Sequence, residues 1–436
     1  MMHPRVGPIL RRLAVALSLS TAAAGCSGGS SVAYSPKTLS APPIKHVFTI
    51  ILENQAYDNT FGTQMPVPYL SQTVAAQGAS IPNYYGTSHF SLGNYLSLVS
   101  GQAVTTDNQD DCTNLAPGVG SNYIDIASSG LAPYGQVTGI GCIYPPATLT
   151  IADQLAGAGY TWKGYMEDMG NDPTREAATC GQPIGGIGAP DNTSSAQVPP
   201  NYDKGGTEMV TDQYAARHNP FVYFHSLLDS GACAQHVVPL NANTLPNDLA
   251  SIATTPNYSF ITPNLCDDGH DVPCKSPGSP STYVNENAFL QKWVPIIAES
   301  PAFQKDGLLI ITFDESSPSP NAVDGSYTVF DGTACCNEPS GPNTSLPGTP
   351  NAAAAFGLTI TGTVGNSGGG QTGTILVSPY IKPGTVTATP YNHYFTLHAI
   401  EDFFGLSHLG YAGYPYTTGF GTDVFGTTVQ RYSVTL

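Results

Sequence analysis

The sequence predicts an α/β fold of three layers, a mainly parallel sheet covered by helices on both faces. Three observations lead there. Short apolar runs rich in Val, Ile, Phe and Tyr alternate along the chain with amphipathic stretches of helical length, the pattern of strands joined through helices. The runs read as strands buried within a sheet. Chemistry-bearing residues follow the ends of several runs, where parallel sheets place their ligand sites.

Taken in order, the strands are expected at 46–52, 160–165, 221–225, 258–262, 308–313 and 374–380. Helices are expected at about 69–78, 91–100, 149–158, 283–299 and 394–404. Between them, 104–147, 168–212 and 316–373 are rich in Gly, Pro, Asn and Ser and too long for simple connections, so they read as ordered excursions tied by disulfides.

Ahead of this body, Arg11 and Arg12 precede the apolar run Leu13–Ser20, and small residues Ala22–Gly25 lead into Cys26. This is the pattern of a signal peptide over 1–25, too short to span a bilayer. The Ala-Ala-Gly before Cys26 looks like a bacterial lipoprotein cleavage site, with Ala23 where leucine is usual. It makes Cys26 the expected lipid-bearing residue of an exported protein, whether periplasmic, surface-anchored or secreted. Residues 26–43 are Ser-, Gly- and Pro-rich and nearly uncharged, a tether that cannot bury enough apolar surface to offset its ordering entropy. Residues 44–436 read as one elaborated domain.

Charged residues make up 10% of the chain and the net charge is −17. That argues against a nucleic-acid partner, which wants a basic face, but leaves room for a small anionic substrate if metal ions and backbone amides reverse the local field. Of nine cysteines, eight remain beside Cys26, an even number suited to an oxidising compartment. Cys112 with Cys142, Cys180 with Cys233 and Cys266 with Cys274 are neighbours in order; adjacent Cys335 and Cys336 form either a vicinal bridge or pairs elsewhere.

The run 46–52 ends in Glu53-Asn54 and 308–313 in Asp314-Glu315. Converging from neighbouring strands, these oxygens suit a hard divalent cation; either pair alone is better explained by a turn or a helix cap. Ser91 stands where the chain enters a helix, within Thr87-Ser88-His89-Phe90-Ser91-Leu92-Gly93-Asn94. Free amides at such a helix start favour an anion, and a cation could activate the hydroxyl; the plain alternative is that Ser91 caps the helix. His270, within Cys266-Asp267-Asp268-Gly269-His270-Asp271, and His393 can bind metal, hold a phosphoryl oxygen or protonate a leaving group. His89, His218 and His225 compete for those roles.

Together these segments resemble the bacterial phosphoesterase family of secreted acid phosphatases and phospholipases C. The carrying motifs are IKHVFTIILENQAYDNTFG (44–62), SHFSLGNYLSLVSG (88–101), PNLCDDGHD (263–271), LLIITFDE (308–315), TGTILVSPYIKPG (372–384) and NHYFTLHAIEDFFGL (392–406). The resemblance implies an alkaline-phosphatase-like fold and phosphate-ester hydrolysis through a transiently phosphorylated hydroxyl beside a divalent metal, Mg, Mn, Ca or Zn. Carried onto this chain, it makes Glu53, Asn54, Asp314 and Glu315 metal ligands, Ser91 nucleophile and ligand, and Asn94 a phosphoryl-binding amide. His270 and His393 would complete the pocket, with His89, Asp268 and Asp271 as further candidates. Gly93 replaces a usual proline, which should loosen the helix entry; Phe90 and Tyr57 are also departures. The serine motif looks more like the acid-phosphatase branch than like a phospholipase C or other phosphodiesterase. A catalytically silent surface-binding protein on the same fold is the reading from another class.

Overall fold

The computed structural model describes residues 42–62, 66–112, 123–193, 198–203, 209–270, 282–317, 319–320, 328–329, 331–343 and 368–436. Eight strands form the main sheet: β1 (His46–Leu52), β2 (Ala79–Ile81), β3 (Trp162–Glu167), β4 (Val237–Leu240), β5 (Tyr258–Thr262), β6 (Gly307–Phe313), β7 (Thr374–Val377) and β8 (Thr385–Val386). Their spatial order is β8-β2-β7-β6-β1-β5-β3-β4. All pairings are parallel except those that β7 makes with β6 and β2, so β7 alone runs against the rest.

Successive strand residues point to opposite faces, and here each face has its own core. On one side Val47 and Ile51 of β1, Phe260 of β5 and Leu308 and Ile310 of β6 pack with α1 (Ser91–Ser100), α2 (Ile151–Gly157) and α5 (His393–Phe404). On the other, Phe48, Ile50 and Leu52, with Ile261, Leu309 and Ile311, meet α3 (Thr282–Ala298) and α4 (Pro301–Asp306) through Phe289, Trp293, Ile297 and Phe303. Burial on both faces is why these strands read as unbroken apolar runs rather than as alternations. Left-handed Gly101 and Gly405, each at φ 66°, end α1 and α5, a conformation that costs glycine little.

Three expectations are corrected. The run 221–225 is not a strand: Asn219 accepts the Phe221 N–H, Pro220–Tyr223 is a tight helical turn, and another begins at His225. Phe221–Phe224 are fully buried, and hydrophobicity alone does not separate a buried turn from a buried strand. The strand 374–380 stops at Val377, before Pro379, which cannot donate to a ladder. All three supposed loops contain ribbons of their own, Ala127–Ala132 with Gln136–Ile140, Val198–Asp203 with Met209–Asp212, and Ser319–Pro320 with Thr328–Val329. Disulfides join Cys112 to Cys142, Cys180 to Cys233 and Cys335 to Cys336. Cys266 is disulfide-bonded, and Cys274 lies outside the described residues, as does Cys26. No described helix is long and apolar enough to cross a membrane.

Candidate active site

The register of the central strands assembles the site. Leu52 pairs with Phe313 across β1 and β6, so Glu53 and Asp314 leave the sheet side by side, joined by the Asp314 N–H to Leu52 carbonyl bond of 2.9 Å. On the other side of β1, Glu53 N–H donates to the Asp268 carbonyl at 2.8 Å. Three carboxylates from beyond the ends of three adjacent strands thus meet at one point, each fully buried.

Ser91 is the first residue of α1. Its Oγ donates to Glu53 Oε2 at 2.7 Å and lies within reach of Asp314. Tyr95, one turn on, donates to Glu53 Oε1. The backbone is held in sparsely populated conformations on both sides of this contact, with φ 63° at Phe90 and 51° at Asn54; for side-chain-bearing residues such strain concentrates where geometry serves function. Asn54 donates its backbone N–H to Asp314 Oδ1 at 2.9 Å and its amide nitrogen to Glu53 Oε2 at 3.2 Å, which leaves its carbonyl oxygen as the ligand atom.

The electrostatics ask for a positive charge. Burial, then the charges of Asp314 and Asp268, push the Glu53 carboxyl well above the usual range. Asp314 is raised chiefly by burial, and its Oδ2 meets no hydrogen-bond donor. Like charges crowded in a buried site, with one carboxylate oxygen left without a donor, fit a bound divalent cation, and Glu53, Asp314 and the Asn54 carbonyl offer the oxygens that hard cations take. His218 belongs to the same cluster, 3.4 Å from Glu53 Oε1 and 3.5 Å from Asp268 Oδ2, its ring stacked on Tyr95 at 5.3 Å. Burial, helped by Arg217 and His270, drives its pKa well down, which favours the neutral form that ligates metal. In the sequence nothing sets His218 apart from His89 and His225; its position follows from the buried turn after it, whose hydrophobicity is that of a strand. His225 sits apart, bonded to Asp125 and Asp229.

Other candidates have different places from those expected. Asn94 does not face the cluster with a free amide: its Oδ1 accepts from Thr87 N, Thr87 Oγ1 and Ser88 N, and its Nδ2 donates to the Ser88 and Phe90 carbonyls. Both N–H groups being spent, it clamps the loop ahead of Ser91 and has no donor for a phosphoryl oxygen. The Leu92 amide is likewise taken, by Asp111 Oδ1 at 2.9 Å, so the start of α1 is capped by a protein carboxylate. Burial raises Asp111 to about 6 against the pull of Arg217, 3.7 Å away. His393 lies behind the strand end, with Nε2 donating to the Asp314 carbonyl at 2.6 Å and Nδ1 beside Tyr84 Oη at 3.1 Å; burial lowers it to about 4. It positions Asp314 and is not placed to deliver a proton. Glu315 turns to His89 Nδ1, whose Nε2 reaches the Asp331 carbonyl at 2.8 Å, so its charge already has a protein partner. His270 is exposed, its N–H on Asp268 Oδ1 at 2.9 Å, close enough to influence both His218 and Asp111. Asp271 lies outside the described residues.

Gly93 has a packing reason. A Cβ there would fall 2.3 Å from both Ser88 Oγ and Val104 Cγ1, so the helix entry is tight rather than loosened. A separate cavity of about 310 Å³ beside Thr87 and Ser88 is lined by Cys335, Cys336, Glu338 and Tyr394 among others.

Known proteins resemble the chain over most of its length. An acid phosphatase assigned as probable in Kluyveromyces lactis is 24% identical over 272 residues, 62% of this chain and 48% of that one. A phosphatidylinositol-3-phosphatase from Mycobacterium tuberculosis is 21% identical over 371 residues, 85% of this chain and 80% of the other. The chain spans about half the length of the fungal acid phosphatases it matches. Among solved structures, an alkaline phosphatase superfamily protein from Vibrio parahaemolyticus aligns with a TM-score of 0.40 at 10% identity, over 83% of this chain and 67% of that one. The sequence pattern of the Phosphoesterase family matches residues 64–407, and the chain belongs to that family.

Proposed function

We propose that the chain hydrolyses phosphate monoesters through Ser91 and a divalent cation. The observation that carries this reading is the Ser91 hydroxyl held 2.7 Å from Glu53 Oε2, with Asp314 beside them, at the carboxyl end of a parallel sheet. Glu53, Asp314, the Asn54 carbonyl and Ser91 would hold the cation, with His218 and Asp268 adjoining; Glu315 serves through His89. When bound, the ion would neutralise phosphoryl oxygens and lower the hydroxyl pKa.

The protein groups do the rest. Glu53 orients the hydroxyl and accepts its hydrogen bond, while Tyr95 holds Glu53. The clamp made by Asn94 fixes the strained entry at Phe90, aiming Oγ at phosphorus for in-line attack. His270, on the open side, protonates the leaving alkoxide, then activates the water that cleaves the phosphoserine. Monoesters are favoured over diesters because relatives are named acid phosphatase and phosphatidylinositol-3-phosphatase. The disulfides support an exported protein, with Cys26 as a lipid anchor, 26–43 as tether and 44–436 as the hydrolytic domain; the partner is a small phosphate ester.

The test compares wild type and Ser91→Ala on p-nitrophenyl phosphate and on phosphatidylcholine, with and without chelator. Expected are turnover of the monoester, loss with chelator, and a fall on the order of a thousand-fold or more in the variant. Unchanged turnover by Ser91→Ala would reject the assignment. Silence of wild type on both esters with Mg, Mn, Ca or Zn supplied would favour the binding-protein reading.

A further inference from the structure

The end of α5 carries a second group of ligating side chains, which the hydrolytic reading leaves unused. His398 and Asp402 stand one turn apart on α5, and His408 returns to them from the segment after Gly405. One ligand atom from each, two imidazole nitrogens and a carboxylate oxygen, all lie within 4.8 Å of one another. His408 Nε2 is 2.9 Å from Asp402 Oδ1, and His398 Nε2 is 3.4 Å from Asp402 Oδ2.

Three features make this arrangement ask for a shared cation. His398 Nδ1 contacts the Ala412 carbonyl at 2.7 Å, which only its N–H can satisfy. A neutral ring therefore turns a lone pair toward an Asp402 oxygen, two acceptors that only a proton or a cation can reconcile. The two imidazole rings stack with centroids 3.6 Å apart, so protonating both would set like charges face to face, and a shared ion is taken up as the rings turn to bring their in-plane lone pairs together. Finally, Asp402 lies in the last turn of α5, where the helix dipole favours positive charge. A ring whose other nitrogen is fixed by a backbone carbonyl is the usual support behind a metal-bound histidine. The segment is also pre-set, since Glu401 Oε1 accepts the Leu409 N–H at 2.9 Å and so holds the neighbour of His408.

We propose that His398, Asp402 and His408 bind a divalent transition-metal ion of zinc type, water completing the tetrahedron. The ion clamps the end of α5 to the segment 406–409. The site is independent of the Ser91 cluster.

The full chain is stripped with chelator, dialysed against zinc at pH 7.5 and assayed for bound zinc per chain, as wild type, His408→Ala and Asp402→Asn. Each variant should hold one equivalent less than wild type, and zinc should raise the wild-type unfolding midpoint more than that of either variant. Turnover of p-nitrophenyl phosphate identifies folded samples. Equal zinc content and equal midpoint shifts in wild type and variants would overturn the proposal. Asp402→Asn changes a half-exposed side chain and decides the matter if His408→Ala does not fold.

Discussion

Asn94 shows how a single side chain can look like a ligand contact and be something else. Its five hydrogen bonds, three accepted from Thr87 and Ser88 and two donated to the Ser88 and Phe90 carbonyls, all lie within the loop that delivers Ser91. Replacing Asn94 by Ala strands buried backbone donors and acceptors, each costing about 1–3 kcal/mol when unsatisfied. The expected result is a loss of roughly 2–4 kcal/mol in denaturant unfolding, with turnover falling because the entry to α1 loosens. A variant of unchanged stability whose KM alone rises would instead return Asn94 to the phosphoryl group. The sequence can show that Ser91 and Asn94 share a motif, since that is a matter of spacing. It cannot show which way the amide points, because that depends on the positive φ of Phe90, which no residue type announces. Likewise Glu53 and Asp314 are legible as strand-end carboxylates, whereas His218, Tyr95 and Arg217 are not, since they reach the cluster from segments whose shape is set only by packing.

The elements legible in advance are those whose burial has a single explanation. β1, β5 and β6 are apolar from end to end because both faces are covered, and their register alone places Glu53 beside Asp314. The short strands β2, β4 and β8 lack the length to stand out, and β4 and β8 are edge strands. At this scale the disulfide Cys112–Cys142 anchors Asp111, whose carboxylate caps α1 next to Ser91. With a sequence separation of 30, its loss should cost about 3–4 kcal/mol by loop entropy. Cys112→Ser with Cys142→Ser is therefore expected to lower stability by that order. It should also lower turnover of p-nitrophenyl phosphate at temperatures where the protein stays folded, because the cap would no longer be held at the nucleophile. Full turnover in a destabilised double variant would make the bridge structural only.

For the whole molecule, buried carboxylates couple folding to pH. Glu401 is fully buried; burial raises it to about 9, against the pull of the Leu409 N–H. Burial, then the charge of Asp212, raises Glu176 to about 8. In the unfolded chain a glutamate titrates near about 4.3. Between those values the folded state keeps a proton that the unfolded state releases, so their contribution is fully present below about 4.3 and is lost as pH rises through about 8 to 9. Glu401→Gln keeps an acceptor for the Leu409 N–H and removes the titration. With chelator present, wild-type stability should fall between pH 5 and pH 8 more steeply than that of Glu401→Gln, by as much as about 1.4 kcal/mol per pH unit. Parallel curves would mean that Glu401 is ionised in the folded protein, its charge met by a group other than the Leu409 amide. The carboxylates around Ser91 obey the same sign, but there a cation can take the place of the proton. Restoring the divalent ion should therefore stabilise the protein more at pH 8 than at pH 5, and a pH-independent gain would place the ion away from Glu53 and Asp314.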